Sequence, residues 1–416
     1  MTSDRTLFKH ADRRIPSGGD FLDSAALTAL TPDELTRRIR LLQPLIAEHA
    51  AEAESLRRPV DKVWQALRDA GFFYQFVPKR FGGMETNFDA FIDAGMMIGE
   101  VDASTAWTAV FCAEHNWILT HFPLETQREL WAGQFPYIIA PGVVFPPGTA
   151  IPVPGGYRVS AHWKWATGVM HADWIIGNTL VQRPDTKPQP LMVLLPAKDA
   201  EVLDTWFMDG MSATGSNDIV VNDLFVPGAR TTTTFFGGTR GASERAHQNA
   251  IYGAPVLPFL AMCASIPAAG AAHGMVSAYR QRISSSARPG SETTMAGKVA
   301  AQIRLARADL LARNAELLIR DVGRRLLETA NLKEPELTNQ RLALRAQLAM
   351  AVANCRDVAM VLTEGAGTSV HALDQPFQRA MRDLIVISTH IVFDIDTAYE
   401  QHGRGMLGLP PNTPLN

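Results

Sequence analysis

Residues 155–177 read GGYRVSAHWKWATGVMHADWIIG and follow a period-two pattern. Apolar or aromatic side chains fall at every second position from Tyr157 to Trp165, as in a strand with one buried face and one solvent face. A second apolar run closes the stretch, so we predict a β-hairpin or a sheet corner. On such a strand Trp163 and Trp165 would lie side by side, next to the hydroxyl of Thr167.

Two interpretations of this stretch differ in what the tryptophans do. Flat aromatic walls beside one small hydroxyl suit a planar heteroaromatic ligand. Alternatively, the tryptophans fill the core of a β-barrel, and the stretch on its own favours that simpler interpretation. Residues 214–216, Thr-Gly-Ser, form a tight turn whose hydroxyls and N–H groups can hold a phosphate or a cofactor edge, although most such turns only connect strands.

The bulk composition indicates a globular protein without a strong charge. The chain has 416 residues, enough for two or three domains, of which 46% are hydrophobic and 19% charged. A net charge of −3 gives no electrostatic argument for binding nucleic acid or an anionic membrane. Three widely spaced cysteines suggest no disulfide framework and fit a reducing cytoplasm.

We expect neither a signal peptide nor a membrane span. The first residues are polar and lack the apolar core of a signal sequence. The most apolar stretch, residues 251–276, contains three prolines and a histidine, which interrupt it too often for a span.

Composition changes twice along the chain and divides it into three segments. Residues 1–137 carry helix signals such as the Thr31-Pro32 start, residues 138–240 are rich in Pro, Gly and Val and suit short strands, and residues 241–416 are helical again. The helices of the last segment are expected to pack as a bundle. Among the predicted helices are those near 88–115, 256–286, 294–330, 335–364 and 376–399.

Several catalytic motifs are absent from the sequence. No GxGxxG follows a strand, and there is no P-loop, HExxH helix, GxSxG elbow or cluster of ligands at metal spacing. These absences argue against nicotinamide binding, phosphoryl transfer, metal-dependent hydrolysis and serine hydrolysis. Redox chemistry would therefore need an organic cofactor held by backbone, hydroxyl and aromatic groups.

The order of segments and a set of motifs resemble the acyl-CoA dehydrogenase superfamily, and more closely the reduced-flavin-dependent monooxygenases on that fold. Within that group the chain looks most like the hydroxylase of a phenolic secosteroid and the oxygenase component of p-hydroxyphenylacetate hydroxylase. The resemblance covers nearly the whole chain. It is carried by GFFYQFVPKRFGG at 71–83, HNW at 115–117, GGYRVSAHWKWATG at 155–168, TGS at 214–216, PFQRAMRD at 376–383 and GLPP at 408–411.

This resemblance implies an α+β fold with an N-terminal helical domain, a middle β-barrel and a C-terminal four-helix bundle. It implies an oxygenase component that uses reduced FMN or FAD and O2, through a flavin C4a-hydroperoxide, to hydroxylate a phenolic or polycyclic aromatic substrate. Because no NAD(P)H site is visible, the expected partner is a separate NAD(P)H:flavin reductase. A homotetramer whose subunits share flavin sites is also implied, with no nucleic acid or membrane partner.

The resemblance also assigns roles position by position, none of them to a metal ligand. Trp165 and Thr167 are expected to flank the isoalloxazine ring, Thr214 and Ser216 to lie near the flavin or its phosphate, Arg288 to lie near the flavin, Gly367 to reach the flavin of a neighbouring subunit, and His115 and His390 to line the substrate side.

His390 is the expected general base. The sequence predicts a helix that begins near Pro376 and carries Asp383 and His390 on one face. An imidazole titrates near neutral pH and can take the proton of a phenol, which raises the electron density at the attacked carbon. The resemblance makes His115 a second polar contact and the Thr167 hydroxyl a hydrogen-bonding partner of the reactive flavin edge. The alternative for either histidine is a structural role in the core.

Two positions depart from the family pattern. Where relatives often have Ser-Ser-Gly, residues 166–168 read Ala-Thr-Gly and retain one hydroxyl. Where relatives have serines before the hairpin, residues 141–143 read Pro-Gly-Val. A serine that could bind a small phenol is therefore missing, and we expect a larger or more apolar substrate.

Three alternatives are compatible with parts of this pattern. An acyl-CoA dehydrogenase needs a carboxylate base, usually a glutamate in the last part of the bundle. The corresponding residues 387–394 read ISTHIVFD, and the next glutamate after them is Glu400. N-oxygenation of an amine or amino sugar could use the same cofactor and fold. A non-enzymatic helical scaffold would leave the placement of Trp165, Thr167 and His390 unexplained.

Overall fold

The first helical segment begins as predicted. The Thr31 hydroxyl accepts a hydrogen bond from the Glu34 N–H at 3.2 Å, and Pro32 occupies the first helical position. The computed structural model describes residues 7–8, 21–131, 136–233, 242–286, 294–329 and 332–413, and all structural statements concern these residues. The helices of this segment are α1 (Ser24–Ala29), α2 (Pro32–Leu56), α3 (Asp61–Ala70), α4 (Phe88–Gly99), α5 (Ala103–Leu119) and α6 (Leu124–Trp131).

The predicted single helix over residues 88–115 is in fact α4 and α5. Asp102 separates them, because its carboxylate accepts the Thr105 N–H at 2.8 Å and thereby caps the start of α5. The second helix continues to Leu119, so the His-Asn-Trp motif at 115–117 lies inside a buried helix.

The middle segment is one mixed sheet. Its order is β1-β6-β7-β3-β2-β4-β5-β8, with β2 and β4 parallel and the other neighbours antiparallel. The edge strands β1 and β8 do not pair with each other, so among the described residues the expected barrel is not closed. The strands are β1 (Leu7–Phe8), β2 (Gly142–Val153), β3 (Gly156–Trp163), β4 (Trp174–Val181), β5 (Gln189–Pro196), β6 (Glu201–Leu203), β7 (Asp218–Pro227) and β8 (Thr231–Thr232).

Strand β3 confirms the period-two pattern up to Trp163. Val159 and Trp163 are buried, whereas Arg158 and Ser160 on the opposite face are exposed. The predicted hairpin between β3 and β4 is wrong, because β2 lies between them in the sheet. The long β2 supplies hydrogen-bonding partners to both of its neighbours.

The last segment is helical, as predicted. Its three long helices, α8, α9 and α10, pack against one another, and α8 also packs on α4 and α5 of the first segment. The predicted final helix over 376–399 is two helices, α11 and α12. The helices are α7 (Ala242–His247), α8 (Val256–Ser285), α9 (Val299–Glu328), α10 (Glu336–Ala366), α11 (Pro376–Ser388) and α12 (Ile395–Met406).

Helix α8 runs through the centre of the molecule. It continues past Pro258 and Pro267, so the prolines do not interrupt it as expected. A Cβ atom at Gly270 would lie 2.3 Å from the Met96 carbonyl oxygen, so glycine permits the close crossing of α8 and α4. In the described chain α8 is the one helix long and apolar enough to cross a bilayer, and 78% of its most apolar window is buried inside the protein.

Two large hydrophobic cores organise these elements, beside a small cluster of Ala346, Ala349 and Ala398. The larger is built from helices of both the first and the last segment with apolar residues of β4 and β5, and the smaller from β2–β7 and the 166–172 loop. The domain limits at 137/138 and 240/241 stay a prediction, and residues 240 and 241 lie outside the described chain. The predicted site residues lie mainly where the two cores meet.

Candidate functional site

Three hydroxyls, those of Thr167, Ser216 and Thr214, form a buried chain between the sheet and the helices, here named the hydroxyl chain. Thr167 Oγ1 lies 2.9 Å from Ser216 Oγ, which lies 2.8 Å from Thr214 Oγ1. At one end the Trp107 indole N–H donates to Thr167 Oγ1 at 3.3 Å. At the other end the Thr214 hydroxyl donates to the Met211 carbonyl at 3.0 Å. The fold therefore brings three of the sequence-predicted site residues into direct contact.

The two ends define the direction of the hydrogen bonds in this chain. An indole nitrogen can only donate, and a carbonyl oxygen can only accept. The arrangement that satisfies every contact therefore has Thr167 donating to Ser216, and Ser216 donating to Thr214. Thr167 Oγ1 keeps one lone pair, so it can accept one further hydrogen bond.

The turn over residues 211–217 holds two of the three hydroxyls in an uncommon conformation. Met211 has φ 55°, in the left-handed region that non-glycine residues rarely adopt. The Asn217 side chain accepts two backbone N–H groups of residues 205–206, at 2.9 and 3.0 Å. The Asn217 carbonyl accepts the Ala166 N–H at 3.0 Å, which ties this turn to the loop of Thr167.

Trp165 is turned away from the sheet core, contrary to the predicted alternation. It follows the end of β3, has φ 63°, and its side chain is 66% exposed. Trp163, in contrast, is fully buried and donates its indole N–H to the Asn178 carbonyl at 2.8 Å. The predicted side-by-side pair of tryptophans is therefore wrong. Strained backbone and an exposed indole two residues before Thr167 are typical of a ligand site.

One face of α5 carries aromatic rings that connect the hydroxyl chain with His115 of the same helix and with His390. Trp107, Phe111 and His115 are four residues apart and therefore share that face. Ring centroids are 4.4 Å apart for Trp107 and Phe111, 5.8 Å for Phe111 and His115, and 5.5 Å for Trp107 and His390. These four rings form what we name the aromatic row, with a histidine at each end.

His115 is buried and uncharged at neutral pH. Its Nδ1 lies 2.6 Å from the Ala140 carbonyl oxygen, so we assign the ring hydrogen to Nδ1 and an acceptor lone pair to Nε2. Burial lowers the pKa of His115 to about 4. Glu114 Oε1 lies 3.8 Å from that Nε2, and burial raises the pKa of Glu114 well above its usual value.

His390 lies outside the helix on which it was predicted. Helix α11 ends at Ser388, and His390 starts a one-turn 3-10 helix in which its Nδ1 accepts the Val392 N–H at 3.3 Å. In the neutral ring Nε2 therefore carries the hydrogen and donates. Part of His390 is exposed, but protein surrounds the rest of the ring, and this desolvation lowers the pKa of His390 to about 4.

Gly142 packs closely against His115. A Cβ atom at Gly142 would lie 3.3 Å from both Cε1 and Nε2 of the His115 ring, which is tighter than most contacts of this kind. Glycine at this position, one of those that depart from the family pattern, therefore lets the β2 backbone approach the Nε2 edge of the His115 ring.

Asp383 is buried beneath the hydroxyl chain. Its Oδ1 accepts the Met211 N–H at 2.5 Å, and its Oδ2 accepts the Ser104 hydroxyl at 3.1 Å. Burial, and then the nearby carboxyl of Asp102, raise the pKa of Asp383 to about 7. Protonation of this carboxyl therefore changes within the neutral pH range.

Sequence reasoning did not single out Trp107 and Phe111, and it noted Asp383 only for a face shared with His390. The four-residue spacing of the two aromatic residues from His115 was the available signal. Asp383 has no comparable signal, because its partners come from other elements of the fold.

Two predicted flavin residues are not part of this cluster. Arg288 lies outside the described residues. Gly367 is exposed at the end of α10 with φ 82°, beside Arg282, whose guanidinium donates to the Ala366 carbonyl at 2.8 Å. In the portion of the chain with described structure, no group of three or more His, Cys, Asp or Glu could hold a metal ion.

Comparisons with known proteins agree with this architecture. The acyl-CoA dehydrogenase N-terminal domain matches residues 39–135, and the acyl-CoA dehydrogenase C-terminal domain matches residues 262–395. A pigment production hydroxylase from a Rhodococcus species is 36% identical over 93% of this chain and 99% of its own length. The oxygenase component of an FADH2-dependent resorcinol hydroxylase from a Rhizobium species is 31% identical over 91% of this chain and 95% of its own.

The solved structures give the same result. XiaF from a Streptomyces species, in complex with FADH2 and glycerol, has a TM-score of 0.86 and 25% identity, and covers 94% of this chain and 98% of its own. The chain therefore belongs to the flavin-dependent monooxygenases built on the acyl-CoA dehydrogenase fold. More particularly, it is an oxygenase component that uses reduced flavin, as the sequence resemblance implied, and the hydroxylase interpretation prevails over its alternatives.

The described residues fit a reduced flavin. The exposed indole of Trp165 offers a flat apolar surface, and Thr167 Oγ1 offers a lone pair to an N–H donor. A reduced flavin carries a hydrogen at N5 that the oxidised form lacks. The direction of the hydroxyl chain therefore suits the reduced form.

We predict that Thr167→Val makes the oxygenated flavin break down faster to hydrogen peroxide. Valine keeps the shape of threonine but leaves the Trp107 N–H and the Ser216 hydroxyl without their partner. The loss of one buried hydrogen bond costs about 1–3 kcal/mol, so hydrogen peroxide release from reduced flavin in air should be about tenfold faster or more. Stopped-flow spectra and a peroxide assay measure this release, and Thr167→Ser should behave like the wild type. Lower thermal stability with unchanged peroxide release would make Thr167 purely structural.

Proposed function

We propose that the chain hydroxylates a phenolic or polycyclic aromatic substrate with reduced FMN or FAD supplied by a separate NAD(P)H:flavin reductase. The bound reduced flavin would supply activated oxygen to the aromatic ring. The observation that carries this proposal is the aromatic row, which ends in two uncharged histidines of opposite hydrogen-bonding character.

The hydrogen bonds suggest that His115, and not His390 as the sequence suggested, accepts the hydrogen bond of the phenol. His115 Nε2 is an acceptor and would take the hydrogen bond of a phenol hydroxyl, whereas His390 Nε2–H, at the other end of the aromatic row, is a donor and would bind a second polar atom of the substrate. A phenol held in this way shares its proton with His115, which increases the electron density at the carbon beside the hydroxyl. Because the pKa of both imidazoles is low, both stay neutral and keep these roles at physiological pH.

The shape of the site supports a substrate with an extended apolar ring system. Trp107 and Phe111 would provide flat walls, and a side chain at position 142 would crowd the His115 ring. The resorcinol hydroxylase, pigment hydroxylase and p-hydroxyphenylacetate hydroxylase among its relatives are named for aromatic hydroxylation or pigment formation.

The flavin contacts belong to the same proposal. Trp165 and the hydroxyl chain would hold the isoalloxazine ring. Arg288 would contact the flavin of its own chain, and Gly367 would contact the flavin of a neighbouring subunit. Three exposed apolar residues at seven-residue intervals on α9 support a homotetramer, because a helix presents them on one stripe. They are Ile303, Leu310 and Leu317.

The remaining expectations from the sequence, on domains and location, belong to the same proposal. They comprise a helical, a β and a helical domain divided at 137/138 and 240/241, a four-helix bundle and a cytoplasmic location. Three free buried cysteines support the last of these, because they form no disulfide.

We predict that the purified chain does not oxidise NADH or NADPH with added FMN or FAD. The reason is that the sequence contains no dinucleotide-binding fingerprint. Addition of a flavin reductase should start both nicotinamide oxidation and formation of hydroxylated product from a panel of phenols, followed by absorbance and chromatography. Nicotinamide oxidation by the chain without a reductase would contradict the two-component assignment.

We predict that O-methylation of a substrate phenol distinguishes the two histidines. A methyl ether cannot donate to His115, whereas the contact of His390 with the other end of the substrate is unaffected. The ether should therefore be hydroxylated about tenfold less efficiently than the phenol by the wild type, as expected for one hydrogen bond of about 1.4 kcal/mol. His115→Phe should treat both compounds alike, whereas His390→Ala should retain the difference.

The measurement for this prediction is product formed per reduced flavin consumed. Both variants should bind flavin but release more hydrogen peroxide than the wild type. If the difference between phenol and ether disappears in His390→Ala instead, His390 is the acceptor, as the sequence alone suggested.

We predict that residue 142 controls the size of the accepted substrate. In Gly142→Ala the new methyl group would lie 3.3 Å from the His115 ring and crowd large phenols. The KM for polycyclic phenols should rise about tenfold more than that for an unsubstituted phenol, since overpacking typically costs 1–3 kcal/mol, roughly speaking. Gly142→Ser adds one heavy atom more than alanine, a hydroxyl oxygen, and should regain affinity for small phenols only. Equal KM changes for small and large phenols would place the substrate elsewhere.

A further inference from the structure

Asp383 connects three elements that carry the proposed flavin and substrate residues. It lies on α11, whose chain continues to His390 seven positions later. Its carboxylate accepts from Met211 in the 211–217 turn at 2.5 Å and from Ser104 on α5 at 3.1 Å. The exposed fraction of Asp383 is 2%, so no water competes for these hydrogen bonds.

Through Met211, Asp383 holds the acceptor end of the hydroxyl chain. The Met211 carbonyl accepts from the Thr214 hydroxyl at 3.0 Å and from the Trp206 indole N–H at 2.9 Å. The left-handed backbone of Met211 is intrinsically unfavourable and must be stabilised by its surroundings. The preceding Gly210 contributes, since a Cβ atom there would lie 2.4 Å from a carbonyl oxygen of α11. The turn therefore rests directly on the backbone of the helix that carries Asp383.

Through Ser104, Asp383 also reaches the donor end of the same chain. Ser104 precedes Trp107 by one helical turn, and the Trp107 indole N–H donates to Thr167. The Ser104 hydroxyl faces Asp383 Oδ2 at 3.1 Å and Met211 Sδ at 3.8 Å, and the carboxylate is the stronger acceptor of its single hydrogen. One carboxylate thus contacts the supports of both ends of the hydroxyl chain.

The charges around Asp383 disfavour a second negative charge. Asp102 on α5 is buried beside it, and the Arg379 Nε is 3.6 Å from the Asp102 carboxylate. On the outer side, Glu54 of α2 pairs with Arg382 at 2.6 Å. Two buried acids therefore face one buried arginine, and burial together with Asp102 raises the pKa of Asp383 to about 7.

We propose that Asp383 is a positioning residue whose ionised carboxylate holds the hydroxyl chain in the arrangement that receives reduced flavin, so that uptake of a proton loosens the flavin site. The proposal rests on the proposed placement of flavin beside Thr167. A carboxylate accepts from both the Met211 N–H and the Ser104 hydroxyl. The protonated acid accepts well at one oxygen only, because its own hydroxyl then becomes a donor.

The first test compares Asp383→Asn with the wild type. Asparagine keeps one acceptor oxygen and presents an N–H group in place of the second, so it imitates the protonated acid at every pH. The measurement is anaerobic binding of reduced FMN, and in parallel reduced FAD, between pH 6 and pH 8.5. The ratio of the two dissociation constants at each pH cancels any titration of the flavin itself.

The expected ratio is near one at pH 6 and rises to about tenfold at pH 8.5, where only the wild type has a carboxylate. Amide hydrogen exchange of the 211–217 turn, measured in the flavin-free protein and corrected for intrinsic exchange, should be similar in Asp383→Asn and the wild type at pH 6. At pH 8.5 it should be faster in Asp383→Asn. A ratio that stays constant across this range would overturn the proposal.

A second pair of variants keeps the test decisive if Asp383→Asn does not fold. Asp102→Asn retains an N-cap on α5 but removes the neighbouring acid, so the midpoint of the wild-type pH profile should move to lower pH. Ser104→Ala removes a donor to the carboxylate, so the midpoint should move to higher pH. Opposite shifts support the proposal, and equal or absent shifts overturn it.

The two proposals can fail separately. If flavin binding follows this pH pattern but no aromatic compound is hydroxylated, the proposed substrate class is wrong and the role of Asp383 stands. If hydroxylation is observed but flavin binding is independent of pH in all variants, the role of Asp383 is wrong and the substrate class stands.

Discussion

The hydrogen bond between the Trp107 indole and the Thr167 hydroxyl joins the two large cores. Trp107 belongs to the helical core, while Thr167 follows Ala166 of the sheet core. Apolar side chains of β4 and β5 also pack into the helical core, and the polar contacts at this seam add a defined direction to that packing. Those contacts have strict donors and acceptors, whereas apolar packing allows small displacements. The site is therefore located where its geometry is most precisely determined.

Much of the fold could be predicted from the sequence, because local patterns determine helix and strand formation. The Thr31-Pro32 helix start, the period of β3 and the three long helices of the last segment follow from capping and periodicity alone. One error passed over a local signal, because Asp102 caps a new helix inside an apolar run through a hydrogen bond to Thr105. The other arose where a longer-range contact decides, because the long β2 enters between β3 and β4. That insertion leaves no distinctive local signal.

The candidate site was predictable in its members but less so in its geometry. The resemblance brought forward Thr167, Thr214 and Ser216, and these hydroxyls touch one another. Periodicity misled at Trp165, because the strand ends two residues before it and the backbone then enters the left-handed region. The helical pattern misled at His390 for a similar reason, since α11 ends first. In both cases the pattern was extrapolated past the end of an element, and functional residues commonly lie there.

The distribution of charge within the site explains how a mildly acidic protein can bind two uncharged ring systems selectively. The aromatic row and the hydroxyl chain contain no charged group at neutral pH, because the pKa of both histidines is low. The ionisable carboxyl of Asp383 lies one layer behind them. Neutral donors and acceptors of fixed direction discriminate ligands, since a mismatched polar group that becomes buried on binding is left without a partner. A charge in direct contact would instead bind any ligand of opposite sign. In the proposed arrangement, hydrogen-bond direction would therefore select a phenol and a reduced flavin, while the charged groups behind would control how firmly that direction is held.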